Sequence, residues 1–256
     1  MTRTQTNYTA IGTLALLLGA GSIAQAQTAP AAPAPSTASK FSAEVGIGFD
    51  NGLAGHINAS GIGELQGQNV VITKNSYEDV YGTGLHFRFG GGYMFREDVE
   101  ARATFTFQSL DADFVVPMGD MGSSNLYGQY DDYQSFGLDL GLRQYVTLAE
   151  KVRGYGEATL GIGFIDKAGV SLVAPGANFA GDVTDFYDQT AAFAAGINAG
   201  AIFELREKVG VFAQLGLRYM TGMSEVDSLA GTGLDTINDK SARWTLPFLM
   251  GVRFQF

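Results

Sequence analysis

Apolar and polar residues alternate along much of this chain with a period of two, the spacing of a strand with two unlike faces. In VEARATFTFQ, residues 99–108, Val99, Ala101, Ala103, Phe105 and Phe107 point one way. Glu100, Arg102, Thr104, Thr106 and Gln108 point the other. The same pattern runs through residues 41–49, 85–95, 136–142, 155–164, 193–205, 209–219 and 244–256, so eight segments are predicted to be strands.

A soluble β-protein alternates too, with its polar face in water. Three features predict the inverted arrangement. The polar face is rich in glycine, with Gly46, Gly48, Gly90, Gly92, Gly161 and Gly163 among others. Glycine weakens an ordinary strand but leaves room for long polar side chains inside a narrow eight-stranded barrel. The apolar face carries no charged residue in any segment, and a Lys or Arg there would cost about 2–4 kcal/mol at a bilayer midplane. Aromatics near segment ends (Phe41, Tyr81, Phe95, Tyr133, Tyr145, Phe203, Tyr219 and Trp244) are placed to form interfacial girdles.

The connections alternate short and long. Arg96-Glu97-Asp98, Ala149-Glu150-Lys151 and Arg206-Glu207-Lys208 are charged tight turns, each followed by a valine (Val99, Val152, Val209) that restarts a strand. Longer stretches run over residues 52–81, 110–132, 166–188 and 223–240. Short periplasmic turns and long extracellular loops are the habit of outer-membrane barrels. The expected fold is therefore all-β: a transmembrane antiparallel up-and-down β-barrel of eight strands. Within the loops, residues 70–73 suggest a short extra strand, with a ten-stranded barrel as the alternative. Residues 114–117 and 172–175 each read as strand then turn at a proline.

Composition sharpens this picture. Arg3, the apolar run at residues 11–20 and Ala24-Gln25-Ala26 form a signal-peptide pattern over residues 1–26, so the mature chain is expected to begin near Gln27. Residues 27–40, rich in Pro and Ala, read as a disordered lead-in, leaving 41–256 for the barrel. There is no cysteine, which removes disulfide, zinc-knuckle and thiol chemistry. A net charge of −10 argues against nucleic acid as a partner.

The chain ends Gly251-Val252-Arg253-Phe254-Gln255-Phe256: a glycine, then two aromatics separated by one residue, the last of them terminal. This resembles the C-terminal assembly signal of outer-membrane barrels, with Leu249 where a polar residue is usual. With the eight alternating segments and the signal pattern, residues 41–256 resemble the OmpA/OmpX-like small outer-membrane β-barrel family. The resemblance implies residence in the outer membrane of a Gram-negative-type bacterium, contact with outer-membrane lipid and lipopolysaccharide, and insertion by the barrel-assembly machinery. In that reading Gly251, Phe254 and Phe256 form the assembly signal.

The candidate site is the enclosed face. Glu44, Arg88, Glu100, Arg102, Asp139, Arg143, Glu157, Glu204, Arg218 and Arg253 all point inward by parity, five acids and five bases. In a low-dielectric lumen such charges must be paired, so they are expected to form an ion-pair network that plugs the barrel. A narrow channel for ions or small solutes is the alternative. No catalytic residue, metal or cofactor is expected. His56 and His86 stand two residues from Asn58 and Arg88, not from the serine of the lipid-A deacylase His-x-Ser pair. The loops hold sixteen Asp and Glu against three Lys. Asp131 with Asp132, or Asp182, Asp185 and Asp188, offer oxygen ligands without a motif of defined spacing. Tyr127, Tyr130, Tyr133 and Tyr187 are expected to be exposed. The function so read is a structural or interaction protein displaying acidic loops to an extracellular partner that the sequence does not identify.

Overall fold

A computed structural model describes residues 40–113, 115–238 and 241–256. The signal segment 1–26 and residues 27–39 of the lead-in lie outside the described residues. Eight strands close into a barrel: β1 (Phe41–Ala54), β2 (Gly84–Arg96), β3 (Val99–Leu110), β4 (Tyr133–Ala149), β5 (Val152–Ile165), β6 (Thr190–Arg206), β7 (Val209–Met220) and β8 (Arg243–Gln255). Each pairs antiparallel with its sequence neighbours, and β1 closes the ring against β8 with Glu44 opposite Arg253 and Gly46 opposite Gly251. At 12 to 17 residues the strands exceed the roughly 9–11 that a tilted strand needs to cross a bilayer.

The wall is inverted relative to a water-soluble barrel. Leu140, Leu160, Leu138 and Ile197 stand outward and more than half exposed, while Glu100, Arg102, Thr104, Thr106 and Gln108 are buried within. Apolar residues cover the outside of all eight strands, far beyond the patch a soluble surface tolerates. Such an exterior belongs in hydrocarbon, and the chain is a membrane-spanning β-barrel. Glycine lets the seam close tightly. A Cβ at Gly48 would strike the Phe248 carbonyl, and one at Gly251 the Val45 carbonyl.

The short turns repeat one device three times. Glu97-Asp98, Glu150-Lys151 and Glu207-Lys208 are two-residue turns, and each is preceded by a register shift in the incoming strand, between Met94 and Arg96, Thr147 and Ala149, and Glu204 and Arg206. The bulge adds local twist, which lets so short a turn reverse a barrel wall.

At the opposite end the four long connections fold together. Seven short strands form a second sheet in the order Ser224–Glu225, Phe179–Asp188, Ala168–Ala174, Ser124–Tyr130, Val116–Met121, Gln68–Ile72 and Gly61–Leu65. Val70 and Ile72 thus pair in this outer sheet, and the barrel keeps eight strands. Pro117 does not end its strand. The strand runs on to Met121 with a shift between Pro117 and Gly119, and the chain turns at Gly122. Pro175, by contrast, opens a turn as read from the sequence. The edge strand Gly61–Leu65 is covered by the fourth connection, where Glu64 N–H donates to the Thr232 carbonyl (2.7 Å) and Ala59 N–H to the Ile237 carbonyl (2.6 Å).

The girdle expectation needs correction. Phe41, Phe95, Phe203 and Trp244 are exposed at strand ends, but Tyr81, Tyr133 and Tyr145 are buried. Their hydroxyl-bearing rings are used inside the molecule. The inverted wall makes a direct prediction. Leu140→Arg, outward in mid-strand, should cost about 2–4 kcal/mol in urea unfolding from lipid vesicles. Ile62→Arg, 73% exposed in the outer sheet, should change stability by no more than about 0.5 kcal/mol.

Candidate functional site

The alternation of β1, β3, β4, β5 and β8 converges charged side chains at one level of the lumen. Glu44 accepts hydrogen bonds from Arg102 Nη2 (2.7 Å), Arg143 Nη1 (2.6 Å) and Arg253 Nη1 (2.6 Å). Glu100 accepts from Tyr145 Oη (2.6 Å), Arg253 Nη2 (2.8 Å), Arg102 Nη1 (3.2 Å) and the Ser42 hydroxyl. Glu157 accepts from Arg143 Nε at 2.6 Å. Arg143 also sits over the Tyr155 ring, its Cζ 3.9 Å from the centroid, within cation–π range. Arg88 stands further off, 3.5 Å from Glu157 and 3.6 Å from Glu44.

Deeper toward the outer end, Arg218 grips Asp139 with two nitrogens, at 2.8 and 3.3 Å. Beyond it Asp50 takes the Gln108 amide, and Arg243 stacks over Tyr133 at 4.5 Å. Of the ten residues read as luminal, nine are buried in this interior. Glu204 is the exception: it pairs with Arg153 (2.7 Å) at the periplasmic rim, its side chain 37% exposed. Asp50 and Arg243 are luminal charges that the segment boundaries missed, each one residue beyond the end of a segment as read.

The inward face then changes character. Along β3 it runs Thr104, Thr106, Gln108, Leu110; along β5, Thr159, Gly161, Gly163, Ile165; along β7, Gln214, Gly216, Arg218, Met220. Leu110, Ile165, Met220 and Tyr133 join Ile57, Met118, Tyr130, Phe186 and Tyr187 in one apolar core beneath the outer sheet. Three polar links tie the connections to each other there: Tyr130 Oη to Asn58 Oδ1 (2.8 Å), Tyr81 Oη to the Asp131 carbonyl (3.0 Å), and Tyr187 Oη to the Ile57 carbonyl. Tyr130, Tyr133 and Tyr187, expected on the surface, are thus core residues, and Tyr127 alone of that group is partly exposed. Burial holds the hydroxyls of Tyr77, Tyr81 and Tyr130 protonated well above the ordinary tyrosine range. The Ser76 hydroxyl and N–H hold the Asp79 carboxyl below its usual range in a capping box.

The acidic loop residues are engaged locally. Asp131 Oδ2 accepts from Gly169 N–H (2.8 Å), Asp132 Oδ1 from Ala112 N–H (2.9 Å), and Asp185 lies 3.7 Å from Lys167 Nζ. No group of three or more His, Asp or Glu placed to hold a metal occurs among the described residues. At the C-terminus, Phe254 and Phe256 face outward at the periplasmic edge, and Phe256 N–H donates to the Phe41 carbonyl (2.9 Å).

If the network is held by mutual pairing, removing one member strands the others. Arg143→Met should destabilise the protein by about 3–5 kcal/mol in vesicle-based urea unfolding. Combining Arg143→Met with Glu157→Leu should recover part of that loss. A double variant as unstable as the single one would locate the cost in packing rather than pairing.

No protein-family model and no curated protein sequence matches the chain. Solved structures similar to it include Neisserial surface protein A (12% identity, 86% of this chain and 99% of that one, TM-score 0.45). Another is the outer membrane protein OprG from Pseudomonas aeruginosa (12% identity, 86% and 96%, TM-score 0.46). A third is Ail, the attachment invasion locus protein of Yersinia pestis (14% identity, 84% and 99%, TM-score 0.33). Likeness at this level concerns strand architecture and carries no ligand or activity across.

Proposed function

We propose that this outer-membrane barrel is a structural or interaction protein with a plugged lumen, which displays a folded acidic cap at the cell surface. The observation that carries the reading is the double filling of the interior. Ion-paired arginines and carboxylates occupy the periplasmic half, and an apolar, aromatic core lies across the outer end. Ions crossing such a path would meet a tight charge network and then a dry constriction, a combination that opposes conduction. The narrow-channel alternative has no comparable support.

The loops suit display. Sixteen acids against three lysines give this end a strongly negative surface, and the seven-stranded sheet holds that surface in a fixed shape. A rigid negative face favours basic partners and repels anionic ones through its long-range field. In this reading lipid and lipopolysaccharide surround the wall, and the barrel-assembly machinery engages the C-terminal strand through Gly251, Phe254 and Phe256.

Two measurements test this. Purified mature protein in planar bilayers should give no stable unitary current, and a reproducible single-channel conductance would select the channel reading instead. An epitope inserted after Gly122, at the turn of the outer sheet, should be labelled on intact cells. One inserted after Glu207 should be labelled only after permeabilisation. The reverse pattern would place the cap in the periplasm and remove the display role.

A further inference from the structure

The luminal charges do not balance. Among the described residues the buried ionisable side chains of the barrel strands include six arginines and five carboxylates. Asp139 faces Arg218, and Asp50 shares the outer end with Arg243. The excess therefore sits in the periplasmic network, where Arg88, Arg102, Arg143 and Arg253 meet only Glu44, Glu100 and Glu157. Arg88 is the least well partnered of the four. Its contacts to Glu44 and Glu157 are 3.6 and 3.5 Å, and its Nε and Nη2 make no hydrogen bond. An enclosed group of four guanidiniums that shares only three carboxylates holds an excess positive charge, which is costly in a protein interior.

Arg88 lines a cavity of about 20 Å³ in mid-lumen. The neighbouring polar groups without partners are mostly donors: Arg218 Nε, Gln214 Nε2 and one ring N–H of His86, with the Thr104 and Thr106 hydroxyls beside them. Arg88, Arg218, Gln214 and His86 are all less than one-tenth exposed. The one carboxylate in the lining, Asp139, is already held by two nitrogens of Arg218. A space of this size takes one occupant of about the dimensions of a water molecule. It excludes phosphate, sulfate and carboxylates.

We propose that this cavity binds a single small monovalent anion of the halide class, as the counter-ion of Arg88. The anion accepts from the orphaned N–H groups and brings the periplasmic network to neutrality. This inference rests on the burial and hydrogen bonding of the lumen, and it stands whichever way the display role is decided.

The experiment is to refold the mature protein in detergent with bromide as the sole halide and to crystallise it. One anomalous scattering peak is expected in the cavity beside Arg88. Density for water alone, with no bromide signal, would overturn the proposal. A second measurement needs no crystal. The unfolding temperature of the native protein should rise with bromide or chloride relative to gluconate at equal ionic strength, and saturate. Arg88→Met leaves three arginines against three carboxylates, so its unfolding temperature should be flat in the same titration. An equal halide response in native and Arg88→Met would sink the counter-ion role. If the variant does not fold, the bromide map of the native protein decides alone.

Discussion

Closure of the sheet between β1 and β8 is the constraint from which the rest of this molecule follows. In hydrocarbon no water is present to satisfy an open strand edge, so a sheet that crosses a bilayer must end where it began. Eight strands make the smallest interior that side chains can still fill, and filling it with polar groups forces them into contact. Glu44 and Glu100 each meet several guanidinium groups because the ring leaves them nowhere else to go. The tyrosines at positions 145 and 155 belong to the same packing problem: their rings underlie Arg253 and Arg143, and their hydroxyls donate to Glu100 and Gln214.

The wall and the cap obey opposite rules within one chain. Through the membrane the apolar face looks out and the polar face in. Above it, apolar side chains turn inward and the outer sheet takes the ordinary soluble arrangement. The handover falls within the barrel strands, at Leu110, Ile165 and Met220; Leu110 and Met220 lie two residues past the polar Gln108 and Arg218, and Ile165 follows two inward glycines. Only one to three residues separate β4, β5, β6 and β7 from the outer strands that adjoin them, so the two regimes share a continuous run of strand.

Much of this was legible in the sequence because parity is rigid. Once Asp139 and Arg143 are set inward, strand geometry leaves no choice for Tyr145 or Tyr133, and the same count from Glu44 reaches Asp50 and from Arg253 reaches Arg243. The errors came where a strand-end rule was allowed to override that count, sending Tyr133 and Tyr145 to the lipid interface, and where segments were ended one residue early. Glu204 obeys parity yet escapes enclosure, because depth along the barrel depends on stagger between strands and no single strand records it. The outer sheet was unreadable for a related reason. Its pairings, such as Val71 with Asp120 and Tyr130 with Val170, join connections far apart in the chain, and their patterns are too short to announce a partner.

The outer sheet also limits how the surface of this protein can change over time. A floppy loop accepts insertions and substitutions almost anywhere, but a paired strand over an apolar core has one free side. Drift in the cap is therefore confined to alternate positions, such as Ile62, Val71 and Val173, and to the hairpin tips, while the residues between them are held fixed by packing. Anything that recognises the cap would meet a landscape whose shape endures while its side-chain texture varies.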